Sequence, residues 1–297
     1  MERIILKSLV YADIFDYPLN EKEVTERLIV NEGTDLAQKG KGNPRIVPTN
    51  INKNLNDLVE EGVVEKLGEY FFLPGRKEIV KLRQEREKFS QEKMEIVDRA
   101  AKFIKLIPTV KFVGVTGSVA AGNAEKDDDI DFFIISASGW LWTTRLLVTL
   151  FLDLTGKRRR PEDKEAKDKI CLNLFIDEAK LDVFDHNLFT AYELFQLKPL
   201  VDKENTYQNF LNANSWFKDY LPNVPKLSQK PKQYNNYMRS HKIVVKFLDG
   251  FLRRIQLWWM RNRQTTEITE RYLIAFHPED ISQQVMIKYK RQLKKYA

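Results

Sequence analysis

The chain has 297 residues, long for one compact core, and its length implies two or three domains. Hydrophobic residues at 43% and charged residues at 31% are ordinary for a soluble globular protein, and a single cysteine, Cys171, excludes an internal disulfide framework and fits a reducing cytoplasm. The net charge of +7 is compatible with binding a polyanion without establishing it.

Residues 1–75 read as a winged helix-turn-helix. Glu2 to Asp13 places Ile5, Leu6, Leu9 and Val10 on one side of a helix. Asn20 and Glu23 have the spacing of a capping box at the start of a second helix. Asn50 opens a third, carrying Ile51, Leu55, Leu58 and Val59, which Gly62 stops. Two short β-rich runs around Gly68 then read as a hairpin wing. Such modules place the third helix in the DNA major groove or serve in protein contacts; of its polar residues only Lys53 is cationic, which is poor for DNA affinity. Between helices two and three, Gln38 to Arg45 is basic and glycine-rich, with Lys39 and Lys41.

Residues 76–108 read as a charged helical connector ended by Pro108. In 109–185, strands are expected at Val110–Thr116, Ile130–Ser136 and Ile170–Ile176, with a helix over Gly139–Leu154. Residues 186–297 show almost no strand pattern and are expected as a helical domain, including helices over Gln233–Arg263, Thr269–Phe276 and Pro278–Lys295. The apolar stretches Gly139–Leu154 and Phe247–Met260 are broken by charges and too short to span a bilayer, so no membrane insertion is expected. Both are expected as helices buried against other helices, with Trp258 and Trp259 in a core or interdomain contact. Met1 to Leu6 lacks the apolar run of a secretory signal.

One stretch concentrates the chemistry. A first strand ends in Gly117-Ser118, a small-residue turn follows, and Asp129-Ile130-Asp131 enters the next strand. Side chains alternate along a strand, so Asp129 and Asp131 share a face. Two adjacent carboxylates repel unless a cation lies between them, and oxygen ligands suit Mg²⁺. A Gly-Ser turn after a strand offers N–H groups and a hydroxyl to phosphate. The run Gly156–Pro161 adds basic residues where they could reach the same cleft, or form an exposed loop balanced by nearby acids.

Gly117-Ser118, eleven residues before the start of Asp129-Ile130-Asp131-Phe132, resembles the signature of the DNA polymerase beta-like nucleotidyltransferase superfamily. Asp13–Leu19, Gly68–Arg76, Cys171–Phe175 and Phe276–Asp280 further resemble prokaryotic nucleotidyltransferase-domain proteins with an N-terminal winged helix. The resemblance implies an α/β (α+β) fold with a small mixed-sheet core, NTP as donor, and Mg²⁺ or Mn²⁺ held by Asp129 and Asp131. It also implies that Gly117 and Ser118 cradle the β- and γ-phosphates. It calls for a third acid on the third strand, where this chain has Asn173, an amide able to ligate a metal, with Asp177 at the strand end. Three functions stay open: a nucleotidyltransferase acting on an unknown hydroxyl acceptor, a small-molecule nucleotidyltransferase of the antibiotic-modifying kind, and a nucleotide-sensing or DNA-binding regulator with a degenerate core.

Overall fold

The structure, a computed structural model, describes residues 1–30, 50–160, 162–163, 165–182, 185–224, 242–261, 268–275 and 281–296, with side chains from residue 247 onward in the helix that begins at Lys242. The expected basic loop at 38–45, His241, His277 and the segment 276–280 lie outside the described residues.

The N-terminal elements follow local signals closely. Helix α1 (Glu2–Asp13) buries Ile5, Leu6, Leu9 and Val10. Strand β1 (Leu19–Asn20) runs into α2 (Glu21–Glu26), whose start is locked reciprocally: the Asn20 side chain accepts the Glu23 N–H at 2.9 Å and the Glu23 carboxylate accepts the Asn20 N–H at 3.0 Å. Helix α3 (Ile51–Glu60) buries Ile51, Leu55 and Leu58. Gly62, at φ +72°, takes the left-handed conformation that ends the helical run. Strands β2 (Glu65–Leu67) and β3 (Tyr70–Phe72) form a hairpin, and β3 also pairs with β1 in an antiparallel sheet of order β1-β3-β2.

Helix α4 (Glu78–Ile104) ties this module to the rest. Its buried Arg83 donates to the Glu23 carboxylate at 2.6 Å and lies over the rings of Tyr17 and Tyr70. Its last turns, with Val97, Ala101 and Ile104, enter the core of the second sheet.

That sheet is mixed. Strands β4 (Val110–Thr116), β5 (Ile130–Ser136), β6 (Ile170–Asp177), β7 (Lys198–Asp202), β8 (Ile268–Thr269) and β9 (Leu273–Ala275) lie in the order β7-β4-β5-β6-β9-β8. The β5–β6 pair is parallel and the other pairs are antiparallel. The helices of this region are α5 (Gly117–Ala121), α6 (Leu141–Leu154), α7 (Leu188–Gln196), α8 (Thr206–Ala213), α9 (Lys242–Met260) and α10 (Ile281–Leu293). Strand alternation divides the side chains between two faces. Val113, Val115, Phe132 and Ile134 meet α4 and α6; Phe112, Phe133 and Ile135 meet α7 and α8 in a core continuous with α1 and α3. Tyr11 of α1 stacks on Tyr192 of α7 at 4.1 Å, so the N-terminal module shares its core with the helix behind the sheet.

The region from 186 onward departs from expectation. Lys198–Asp202 adds an edge strand to β4, and the segment expected as a helix over Thr269–Phe276 instead forms the β8–β9 hairpin on the other edge. Both are short, and short strands leave little alternation for a sequence to display. Helix α9 is also less buried than expected: Trp258 and Trp259 are exposed.

Candidate functional site

β4 delivers the chain to a sharp corner. Gly117 sits at φ +66°, and a Cβ there would come within 2.7 Å of Asp131 Oδ2. Glycine is thus needed twice, for the backbone conformation and for the approach of the carboxylate. The next residues form α5, a one-turn helix that Gly122, at φ +74°, closes.

The loop from α5 to β5 is clamped by α4. Ala124 N–H donates to Ser90 Oγ at 3.0 Å, and Arg86 pairs with Glu125. Lys93, fully buried, donates to the carbonyls of Lys126 and Asp128 at 3.1 and 2.7 Å and to Asp168 at 2.9 Å. Asp128 Oδ2 accepts the Ser118 hydroxyl at 2.8 Å and the Glu125 N–H at 2.9 Å. These bonds fix the loop immediately ahead of Asp129.

Asp131 lies opposite Thr116 on β4 and opposite Cys171 on β6. Ligand atoms of Asp129, Asp131 and Cys171 all lie within 4.8 Å of one another. Burial, then the Asp129 and Glu193 charges, push the Asp131 carboxyl up to about 7. Burial and the two aspartates also push the Cys171 thiol up, so it stays protonated and donates to Asp131. Cys171 is therefore part of this cluster and not the plain core residue its apolar strand suggests. Arg159, from the basic run after α6, donates to Asp129 Oδ2 at 2.5 Å. Its neighbours Arg158 and Arg160 both turn back to Asp153.

Glu193 of α7 is the acid that the sequence did not single out. Its carboxylate accepts the Gly117 N–H, and burial pushes it up to about 7 against the pull of that bond. A signal was present: one carboxylate within the otherwise uncharged stretch Leu188–Phe195, the same kind of oddity as Asp131 within its strand.

The other expected residues divide. Asn173 is buried in β6 beside the register shift in the β5–β6 ladder, and its Oδ1 has no hydrogen-bond partner. Asp177 is not brought to the cluster: it pairs with Ser136 at the far end of β6 and accepts the N–H groups of Gly139 and Ala179 at 2.8 and 2.9 Å. Six residues of strand separate it from Cys171, about 20 Å at roughly 3.3 Å per residue. Arg145 points to Gln256 of α9, at 2.6 Å, and His186 stacks on Trp216. Gly117 N–H and Ser118 Oγ, expected to meet phosphate, are bonded to Glu193 and Asp128.

The donors suit a hard divalent cation. Asp129 and Asp131 offer carboxylate oxygens, whereas the protonated Cys171 thiol is a poor ligand.

Residues 94–169 match the family described as nucleotidyltransferase domain. The matched stretch contains the end of α4, the Gly117 corner, the Lys93 clamp's partners, Asp129, Asp131 and Arg159. No curated protein and no solved structure matches the chain. Residues 94–169 are thus similar to a nucleotidyltransferase domain within a mixed α/β fold, and the match supports nucleotidyl transfer in general terms. No described helix is long and apolar enough to cross a membrane.

Proposed function

We propose that the protein transfers a nucleoside monophosphate from an NTP to a hydroxyl acceptor, using a divalent cation, Mg²⁺ or Mn²⁺, at Asp129 and Asp131. The observation that carries this reading is the pair of carboxylates at the start of β5 beside the Gly117 corner, in a segment that matches the nucleotidyltransferase domain. Asp129, Asp131 and the amide oxygen of Asn173 would hold the cation, which neutralises charge on the triphosphate during in-line transfer.

The chain's own residues supply the rest. The acceptor oxygen bonds to the α-phosphorus, the α–β bridging bond breaks, and pyrophosphate leaves. Glu193 supplies from α7 the third acid that strand β6 lacks, and would take the acceptor's proton. Arg159, half-exposed and paired with Asp129, would exchange that partner for a phosphate oxygen of the bound NTP. Gly117 N–H and Ser118 would likewise exchange Glu193 and Asp128 for phosphate.

We read the N-terminal module as a winged helix used for protein contacts. Its third helix spends its amides internally: Asn52 donates to Glu21 at 2.9 Å, Asn56 to Asn52 at 2.8 Å, and Asn54 to the Asn50 carbonyl at 2.7 Å. Its apolar side belongs to the core shared with α7, the helix that carries Glu193.

Thermal shift and calorimetric titration with each NTP plus Mg²⁺ or Mn²⁺ test the reading. A cation-dependent shift abolished by Asp129→Asn and by Asp131→Asn is expected. Failure of every NTP to shift the wild type with either cation would sink it.

A further inference from the structure

Helix α9 turns Asp249 and Gln256 to the protein together with Leu252, Leu257 and Met260, and presents a second apolar side outward. Inward, Asp249 accepts the Thr143 N–H and hydroxyl at 2.8 and 2.9 Å, and Gln256 donates to the Trp142 carbonyl at 2.8 Å. Outward stand Leu248, Phe251, Ile255 and Trp258, all exposed, Phe251 at 54% and Trp258 at 74%. A surface helix normally keeps its apolar residues on the core side alone.

The spacing of the four outward residues is three, four and three. That is the a/d repeat of a helix-to-helix seam, in which each side chain enters a gap on a facing helix. It also reads the same in either direction. An antiparallel copy related by a two-fold axis near Arg253 would set Leu248 against Trp258 and Phe251 against Ile255, pairing a smaller with a larger side chain each time.

Area and composition agree with a facing protein helix. Phe247, 81% exposed, flanks the seam. With the seam residues it offers on the order of 600 Å² per copy, so that two copies would bury roughly 1,200 Å² together, at the low end of a standard interface. From 247 to 261 the only acid is the inward Asp249 and the cations are all arginine, in keeping with interface cores that are depleted in Lys, Glu and Asp.

We propose that α9 is the seam of a symmetric homodimer, packed antiparallel on α9 of a second copy. The inference is independent of the catalytic reading, because none of these residues belongs to the Asp129–Asp131 cluster.

Sedimentation velocity of the full chain over a wide concentration range tests it. The wild type is expected at twice the chain mass, and Phe251→Glu with Ile255→Glu at the chain mass with an unchanged far-UV spectrum. A second double variant, Phe251→Cys with Ile255→Cys, should oxidise to a covalent dimer, which keeps the test decisive if the glutamates prevent folding. A monomeric wild type, a dimer that survives the glutamates, or cysteines that give no covalent dimer each overturn the proposal. So does a monomer that co-sediments with phosphatidylcholine–phosphatidylglycerol vesicles, which would assign the face to lipid.

Discussion

Replacing Asp131 by Asn should stabilise the cation-free protein at neutral pH while destroying its response to the cation. In the native chain burial and the neighbouring Asp129 and Glu193 push the Asp131 carboxyl up to about 7. In the unfolded chain it titrates near 3.9. Between about pH 4 and pH 7 the native state therefore holds a proton that the unfolded state has released, and the unfolding free energy falls as pH rises through this window. Three units at about 1.36 kcal/mol each bound the loss at roughly 4 kcal/mol, complete above pH 7. Asparagine keeps the shape and carries no charge. It forfeits the carboxylate's bond from Cys171, worth about 1 kcal/mol, which leaves a net gain of about 2–3 kcal/mol at pH 8 and little difference near pH 4. Urea unfolding in EDTA at pH 4, 6 and 8, followed by circular dichroism, measures this directly. Mg²⁺ at about a thousand times its Kd should then reverse the order, since it adds about 4.1 kcal/mol to the wild type alone. An Asn variant that is no more stable at pH 8, or whose advantage is the same at pH 4, would refute the account of a strained carboxylate cluster.

Gly117→Ala should cost about 2 kcal/mol, the left-handed backbone contributing roughly 1–2 of it, because its Cβ would meet Asp131 Oδ2 at 2.7 Å; chemical denaturation reads the loss and titration with NTP a weakened Kd. Lys93→Met removes three hydrogen bonds from a buried ammonium and should lose about 2–3 kcal/mol, with a smaller Mg²⁺-induced thermal shift because the loop ahead of Asp129 loses its anchor. An unaltered shift would show that the clamp does not position the site. Arg159→Ala should change stability by less than about 1 kcal/mol, since the pair is partly exposed, yet weaken NTP binding several-fold in calorimetry. Equal affinity for both proteins would remove Arg159 from the phosphate site.

The central strands and helices were legible because their signals are local. The apolar runs of Val110–Thr116 and Ile130–Ser136, the capping box at Asn20 and Glu23, and the glycines at 62 and 68 each act within a few residues. The Gly117–Ser118 corner and the Asp129–Asp131 pair are local too, and two acids at strand spacing must share a face wherever the strand ends up.

Other features depend on partners distant in sequence. Glu193 reaches Gly117 across 76 positions, and no pattern within α7 shows which backbone N–H it will meet. Asn173 stood where a third acid was expected, with Asp177 at the strand end as the alternative; the parallel β5–β6 register sets Asp177 opposite Ser136, at the far end from Asp131. Strands β7, β8 and β9 draw their stability from neighbours already in the sheet, which short segments cannot announce. The apolar content of α9 was plain in the sequence, but whether that side faces core or solvent was decided by Asp249 and Gln256 bonding to α6. Periodicity specifies that a helix has two sides; only tertiary contacts choose which of them is inside.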